Sequence, residues 1–87
     1  MTYSLLLHEQ AAKRLAKLDE PFFSAVGQDI QSLRENYFPG GKKCKRLRGE
    51  VPDLFRIRIG TYRVMYRVDH DKKIITILRI FSRGEGY

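Results

Sequence analysis

The residues best placed for chemistry in this 87-residue chain are the arginines between Leu54 and Val68, where apolar and basic residues alternate until Gly60-Thr61 breaks the pattern. A period of two is the mark of a β-strand, and a two-residue break containing glycine is the mark of a hairpin turn. Side chains alternate faces along a strand, so Phe55, Ile57, Ile59, Tyr62, Val64, Tyr66 and Val68 share one face. Arg56, Arg58, Arg63, Met65 and Arg67 share the other. The turn sets Ile59 opposite Tyr62 and Arg58 opposite Arg63. Like charges facing each other across a sheet repel. A hairpin face that gathers four arginines therefore either serves an anionic ligand or is a solvated outer face without a role, and this stretch alone favours neither.

Other chemistries find little support. No pair of the two-histidine or glutamate–histidine ribonuclease type is present. His8 precedes a helical pattern and reads as a cap or a surface residue; His70 falls in the polar turn Asp69–Lys73 and reads as solvent-exposed. The single cysteine, Cys44, rules out an intrachain disulfide and a cysteine-cluster metal site, and fits a reducing compartment. No metal or cofactor is expected. No apolar run approaches the ~20 residues of a membrane helix, and the start carries no signal-peptide pattern, so the expected setting is cytoplasmic, without membrane association.

Charge narrows the choice of ligand. Residues 1–41 hold four Lys/Arg and five Asp/Glu, a balance of −1, whereas residues 42–87 hold thirteen and five, a balance of +8. Such asymmetry within one small domain, expected to span residues 1–87, points to a polyanion. A membrane surface would call for a basic amphipathic helix, which is missing, so nucleic acid fits better.

The elements that must position these arginines follow in order. Thr2–Leu7 reads as a strand. Ala11, Ala12, Leu15, Ala16 and Leu18 recur at helical spacing, and after Pro21 so do Phe22, Ala25, Val26, Ile30, Leu33 and Tyr37, until Phe38-Pro39-Gly40-Gly41 stops the helix. Two short helices with so short a link form an antiparallel hairpin on a sheet. Residues 42–48 carry five positive charges and read as a solvated loop. Ile74–Phe81 is the last strand. Pairing Val68 with Ile74 across the turn puts Ile74, Thr76, Leu78 and Ile80 on the core face and Ile75, Ile77, Arg79, Phe81 and Arg83 opposite. The predicted fold is α+β: an N-terminal strand, a two-helix hairpin, then a three-stranded antiparallel meander (β-α-α-β-β-β). Its free face is an arginine groove floored by Met65, Ile77 and Phe81. Guanidinium planes that clamp phosphates and stack on splayed bases suit RNA, with Lys42, Lys43, Lys45, Arg46, Arg48, Arg67 and Arg79 as further contacts.

The run Phe55-Arg56-Ile57-Arg58-Ile59-Gly60-Thr61-Tyr62-Arg63-Val64-Met65-Tyr66, with Leu47-Arg48-Gly49 before it and Arg83-Gly84-Glu85-Gly86-Tyr87 after it, resembles the RelE/ParE superfamily of type II toxins. The likeness covers nearly the whole chain and is nearest the RelE branch, ribosome-dependent nucleases that cut mRNA in the ribosomal A site. It implies catalytic roles for Arg56, Arg58, Arg63, Arg83 and Tyr87, although some members have lysine where Arg56 and Arg58 stand. It also implies the ribosome and mRNA as targets and a cognate antitoxin, encoded beside the toxin, as partner. Arginine holds its proton at ordinary pH and is a poor base, which leaves Tyr87 as the candidate acceptor of the 2′-OH proton. The alternatives are a ParE-like toxin that poisons DNA gyrase without cutting RNA, and a plain RNA-binding protein.

Overall fold

The alternating stretch folds into the expected hairpin. In the computed structural model, which describes residues 2–41, 43–49 and 51–84, Leu54–Ile59 and Tyr62–Asp69 are antiparallel strands joined at Gly60-Thr61. Ile59 faces Tyr62 and Arg58 faces Arg63. Gly60 takes a left-handed φ of 60°, open to glycine without strain, and a Cβ there would press to 3.3 Å from the Phe22 ring.

In chain order the elements are β1 (Ser4–Leu7), α1 (Glu9–Ala16), α2 (Phe22–Ser32), β2 (Cys44–Arg46), β3 (Leu54–Ile59), β4 (Tyr62–Asp69) and β5 (Ile74–Ser82). The sheet order is β1-β5-β4-β3-β2, with β1 parallel to β5 and the remaining neighbours antiparallel. This is the expected α+β arrangement with one strand more. Part of the basic run, expected to be a loop, is β2, an edge strand whose Cys44 pairs with Ile57 and turns into the core.

The helix hairpin covers one face of the sheet. Ala11, Val26, Ile30 and Leu33 pack there against Phe55, Ile57, Val64, Tyr66, Ile75, Ile77 and Ile80. Removing each such Val, Leu, Ile or Phe side chain from water contributes roughly 1.5–3 kcal/mol. His8 caps α1, its Nδ1 accepting from the Gln10 N–H at 3.4 Å. At the start of α2 the Glu20 carboxylate accepts from the Ser24 N–H at 2.9 Å and from its hydroxyl at 2.6 Å. These bonds hold the Glu20 carboxyl below the usual range. Beyond α2, Arg34 ties the chain to β1: its carbonyl accepts from Tyr3 N–H at 3.0 Å and its Nε donates to Tyr3 O at 3.1 Å.

The pairing of β4 with β5 departs from expectation. Asp69, not Val68, pairs with Ile74, and Val68 pairs with Ile75. The turn is therefore four residues long rather than five. Asp69 Oδ1 closes it by accepting from the N–H groups of Asp71 and Lys72, both at 3.0 Å, and Lys73 takes the left-handed φ of 58°. One residue of slip exchanges faces. Ile75 and Ile77 are consequently the core residues, and Ile74, Thr76 and Leu78 are not. A β-bulge then takes up Leu78, so that Met65 pairs with Arg79, Val64 with Ile80 and Arg63 with Phe81. Arg79, Ile80 and Phe81 are back on their expected faces.

Two further corrections concern aromatic residues. Helix α2 ends before Tyr37, which packs from the following loop. His70 is not simply solvent-exposed. Its Nδ1 lies 3.0 Å from the Tyr3 hydroxyl, its ring centroid is 4.9 Å from that of Tyr37, and its Nε2 is 3.8 Å from Asp53 Oδ1.

Candidate nucleic-acid interface

The face of the sheet opposite the helices carries two adjoining cross-strand rows. The first reads Lys45 (β2), Arg56 (β3), Met65 (β4), Arg79 (β5). The second reads Arg58 (β3), Arg63 (β4), Phe81 (β5). Residues directly opposed on one face stand with their Cβ atoms roughly 5 Å apart. Five cations thus meet on a patch two residue steps deep, with Met65 and Phe81 diagonal to each other between them.

Of the expected catalytic residues, Arg56, Arg58 and Arg63 lie within this grid. Arg58 is exposed, while Arg56 and Arg63 are half-buried. Arg83 reaches the same end of the sheet, where its N–H donates to the Thr61 carbonyl at 2.7 Å and holds it beside the β3–β4 turn. Tyr87 lies outside the described residues, as does Lys42. Among the other expected contacts, Lys45 and Arg79 belong to the grid. Arg67 shares the face but stands four residues from Arg63, about 13 Å along the strand, and flanks Asp69. Lys43 reaches Asp29 of α2 at 3.6 Å. Arg46 pairs across the sheet with Phe55, on the helix-side face, and its guanidinium is 3.4 Å from Asp53. Arg48 lines an open depression of about 510 Å³ with Arg46, Leu47, Gly49, Val51, Pro52 and Asp53, at the sheet edge.

The apolar floor also differs from expectation. Ile77 is in the core on the other face, leaving Met65 and Phe81 as the floor. Phe81 is 1% exposed although it lies outside the core cluster, and the Arg79 guanidinium sits 4.7 Å from its ring centroid. Sequence reasoning missed an apolar half of this same face, at the β1 edge. Leu6, 54% exposed, pairs with Thr76 and flanks Ile74. The signal for it, the unbroken Leu5-Leu6-Leu7, does not show which leucine faces out until β1 is placed beside β5.

What the grid can do follows from its donors. Arg63 Nη1 is sheltered from solvent and has no hydrogen-bond partner among the described residues. A buried donor left unmatched costs on the order of 1–3 kcal/mol, which an oxyanion placed there would offset. The grid offers no described carboxylate or imidazole as a base. The buried Tyr66 cannot serve: it lies on the core face, its hydroxyl donates to Tyr37 O at 2.7 Å, and burial, aided by Cys44 at 3.2 Å, pushes its phenol up. The donors and charge of the described grid suit it to hold an oxyanion such as a phosphate and to spread negative charge that develops there. No described helix is long and apolar enough to cross a membrane.

Known proteins share both sequence and fold. Residues 5–87 match the family model described as the ParE toxin of the type II toxin–antitoxin system, parDE. Toxin RelG of Mycobacterium tuberculosis is 42% identical over 88 residues, covering 100% of this chain and 98% of that protein. Among solved structures, a chain of the archaeal RelE–RelB complex of Pyrococcus horikoshii superposes with a TM-score of 0.84 at 32% identity, covering 99% of this chain and all of that one. A chain of the RelBE2 toxin–antitoxin complex of Mycobacterium tuberculosis gives 0.78 at 30%, with coverage of 95% and 100%. With its whole length matched and the arginine hairpin at its centre, the chain belongs to the ParE toxin family of type II toxin–antitoxin systems and is a toxin of the RelE type.

Proposed function

We propose that this toxin is an endoribonuclease that cuts mRNA on the ribosome, with Arg56, Arg58, Arg63 and Arg79 clamping the reacting phosphate. The observation that carries the reading is the sheltered, unmatched Arg63 Nη1 at the centre of a five-cation patch. In RNA cleavage by its own 2′-OH, that oxygen attacks phosphorus, the 5′-oxygen leaves, and the phosphoryl oxygens gain charge in between. The arginines meet that charge. Tyr87, as its phenolate, accepts the 2′-OH proton as the 2′-oxygen bonds to phosphorus, and the departing 5′-oxygen, close to Arg83, takes a proton from water. Positioning supplies most of the acceleration, and ribosomal parts complete the site.

In the same reading an antitoxin holds the toxin inactive. The relatives from Pyrococcus horikoshii and Mycobacterium tuberculosis were solved as complexes with their antitoxins. An antitoxin segment with acidic residues for the grid and apolar ones for Leu6 and Ile74 would cover this face.

Primer extension on mRNA recovered from stalled ribosomes tests the proposal. Wild-type toxin should yield new 5′ ends within the A-site codon, and Arg63→Ala should yield none. Intact mRNA together with inhibited gyrase supercoiling would instead assign the ParE-like activity. Intact mRNA with gyrase unaffected and RNA still bound would leave a plain RNA-binding protein.

A further inference from the structure

We infer that Phe81 is a positioning residue for the phosphate clamp, a buried pedestal that orients Arg79 and Arg63 without occupying their hydrogen-bond donors. The inference rests on the endoribonuclease reading above and adds a residue to that site. Its first ground is the burial of Phe81. A phenyl ring that is 1% exposed normally belongs to the core, yet Phe81 lies on the face away from the helices and outside the core cluster. Among the described residues, those placed against it include Arg63 directly across the strand pair, Arg79 over the ring at 4.7 Å, and Met65 on the diagonal. Arginine stems bury their methylenes on apolar surface and leave the charged head at the rim.

The second ground is how these arginines are held. Neither Arg63 nor Arg79 makes an ion pair with a described carboxylate, in contrast to Arg46 with Asp53 and Lys43 with Asp29. A carboxylate would fix a guanidinium by taking up its donors, and would then compete with the substrate phosphate. An aromatic face attracts the guanidinium through its π electrons and restricts its orientation, while the in-plane N–H groups stay available. Phe81 thus separates ordering the clamp from neutralising it. The β-bulge at Leu78 makes this possible, because without it Phe81 and Arg79 would exchange faces with their neighbours.

The test compares Phe81→Leu with Phe81→Tyr, each first checked for a cooperative melt. On ribosomes carrying mRNA, single-turnover cleavage by Phe81→Leu should fall by about 10- to 100-fold, the usual cost of a small misplacement, while ribosome affinity stays within about threefold. Phe81→Tyr keeps the ring and should recover most of the rate. A folded Phe81→Leu that cuts as wild type would overturn the inference. So would a Phe81→Tyr as impaired as Phe81→Leu, since simple packing would then explain both. NMR of the arginine side chains gives a readout that needs no cleavage. Arg79 should carry a ring-current shift that Phe81→Leu abolishes, with Arg83 unmoved, and an RNA oligonucleotide should then perturb Arg79 and Arg63 less. If wild-type toxin leaves mRNA intact, the endoribonuclease reading fails and these spectra decide alone: unchanged arginine signals in Phe81→Leu would overturn the pedestal, and lost ones would uphold it.

Discussion

On one face of the sheet Ile57, Val64, Tyr66 and Ile77 are sealed beneath the helix hairpin; on the other, Arg56, Arg58, Arg63 and Arg79 stand over Met65 and Phe81 with no described element laid across them. Both faces come from the same three strands, residue by alternate residue. The difference lies in what each face does with its polar groups. The covered face satisfies the hydroxyl of its deeply buried Tyr66 through Tyr37 and Cys44. The open face leaves a sheltered arginine nitrogen unmatched among the described residues. Apolar packing is thus concentrated on one side of a single layer and positive charge on the other, so mutations on the two sides should have separable effects.

The largest separation is expected from the core. Ile77→Ala should lower unfolding free energy by about 2–5 kcal/mol, while Ile74→Ala, on the half-exposed face, should cost under about 1 kcal/mol. Chemical denaturation of the two variants measures this directly, and a reversed ranking would restore the Val68–Ile74 register. Next comes Arg63→Ala, which should reduce cleavage on the ribosome by about 100-fold or more while costing no more than about 1 kcal/mol in stability. Equal loss of both would merge the two faces. Tyr87→Phe should slow single-turnover cleavage by about 100-fold with ribosome binding unchanged, and normal cutting by that variant would remove Tyr87 as the base.

A smaller effect comes from salt. With four or five phosphates neutralised, raising salt from 50 to 200 mM should weaken binding to single-stranded RNA by about 50- to 130-fold. A flat response in a filter-binding titration would count against the grid as an electrostatic clamp. Smallest is an acid-side effect at the β4–β5 turn. The Lys72 N–H, with help from that of Asp71, holds the Asp69 carboxyl below its ordinary value. A depressed carboxyl contributes stability above its unfolded pKa of about 3.9 and loses it as pH falls through the lower folded value. The melting temperature of wild type should therefore drop more steeply below about pH 4 than that of Asp69→Ala.

Legibility in the sequence follows the range of the interactions. The β3–β4 hairpin is readable in faces, turn and register, because alternation and a two-residue turn are local properties. With it come Arg56, Arg58 and Arg63, and from them much of the clamp. What is not readable depends on partners far away in sequence. The turn length at Asp69 hinges on whether its side chain closes a four-residue loop, and that moves Ile75 and Ile77 into the core. Strand β2 is a strand only because β3 offers it an edge. His70 is half-buried through Tyr3, Tyr37 and Asp53, none of them near it in the chain. Lys43 and Arg46, indistinguishable from Lys45 by composition, are drawn toward Asp29 and Asp53, whose positions only the fold sets.

The parallel pairing of β1 with β5 bears on when the toxin becomes dangerous to the cell that makes it. Ser4 pairs with Ile74 and Leu7 with Ile77, so the first strand synthesised waits for the last described one before its hydrogen-bonding edge is filled. Arg79 and Phe81 ride on that late strand. Contacts between distant parts of a chain form slowly and only once both parts have emerged. A ribosome translating this message therefore carries a nascent chain whose cationic patch still lacks its β5 column, and the described patch first exists when the end of β5 is free. That interval is the earliest in which an antitoxin already present could meet the finished surface.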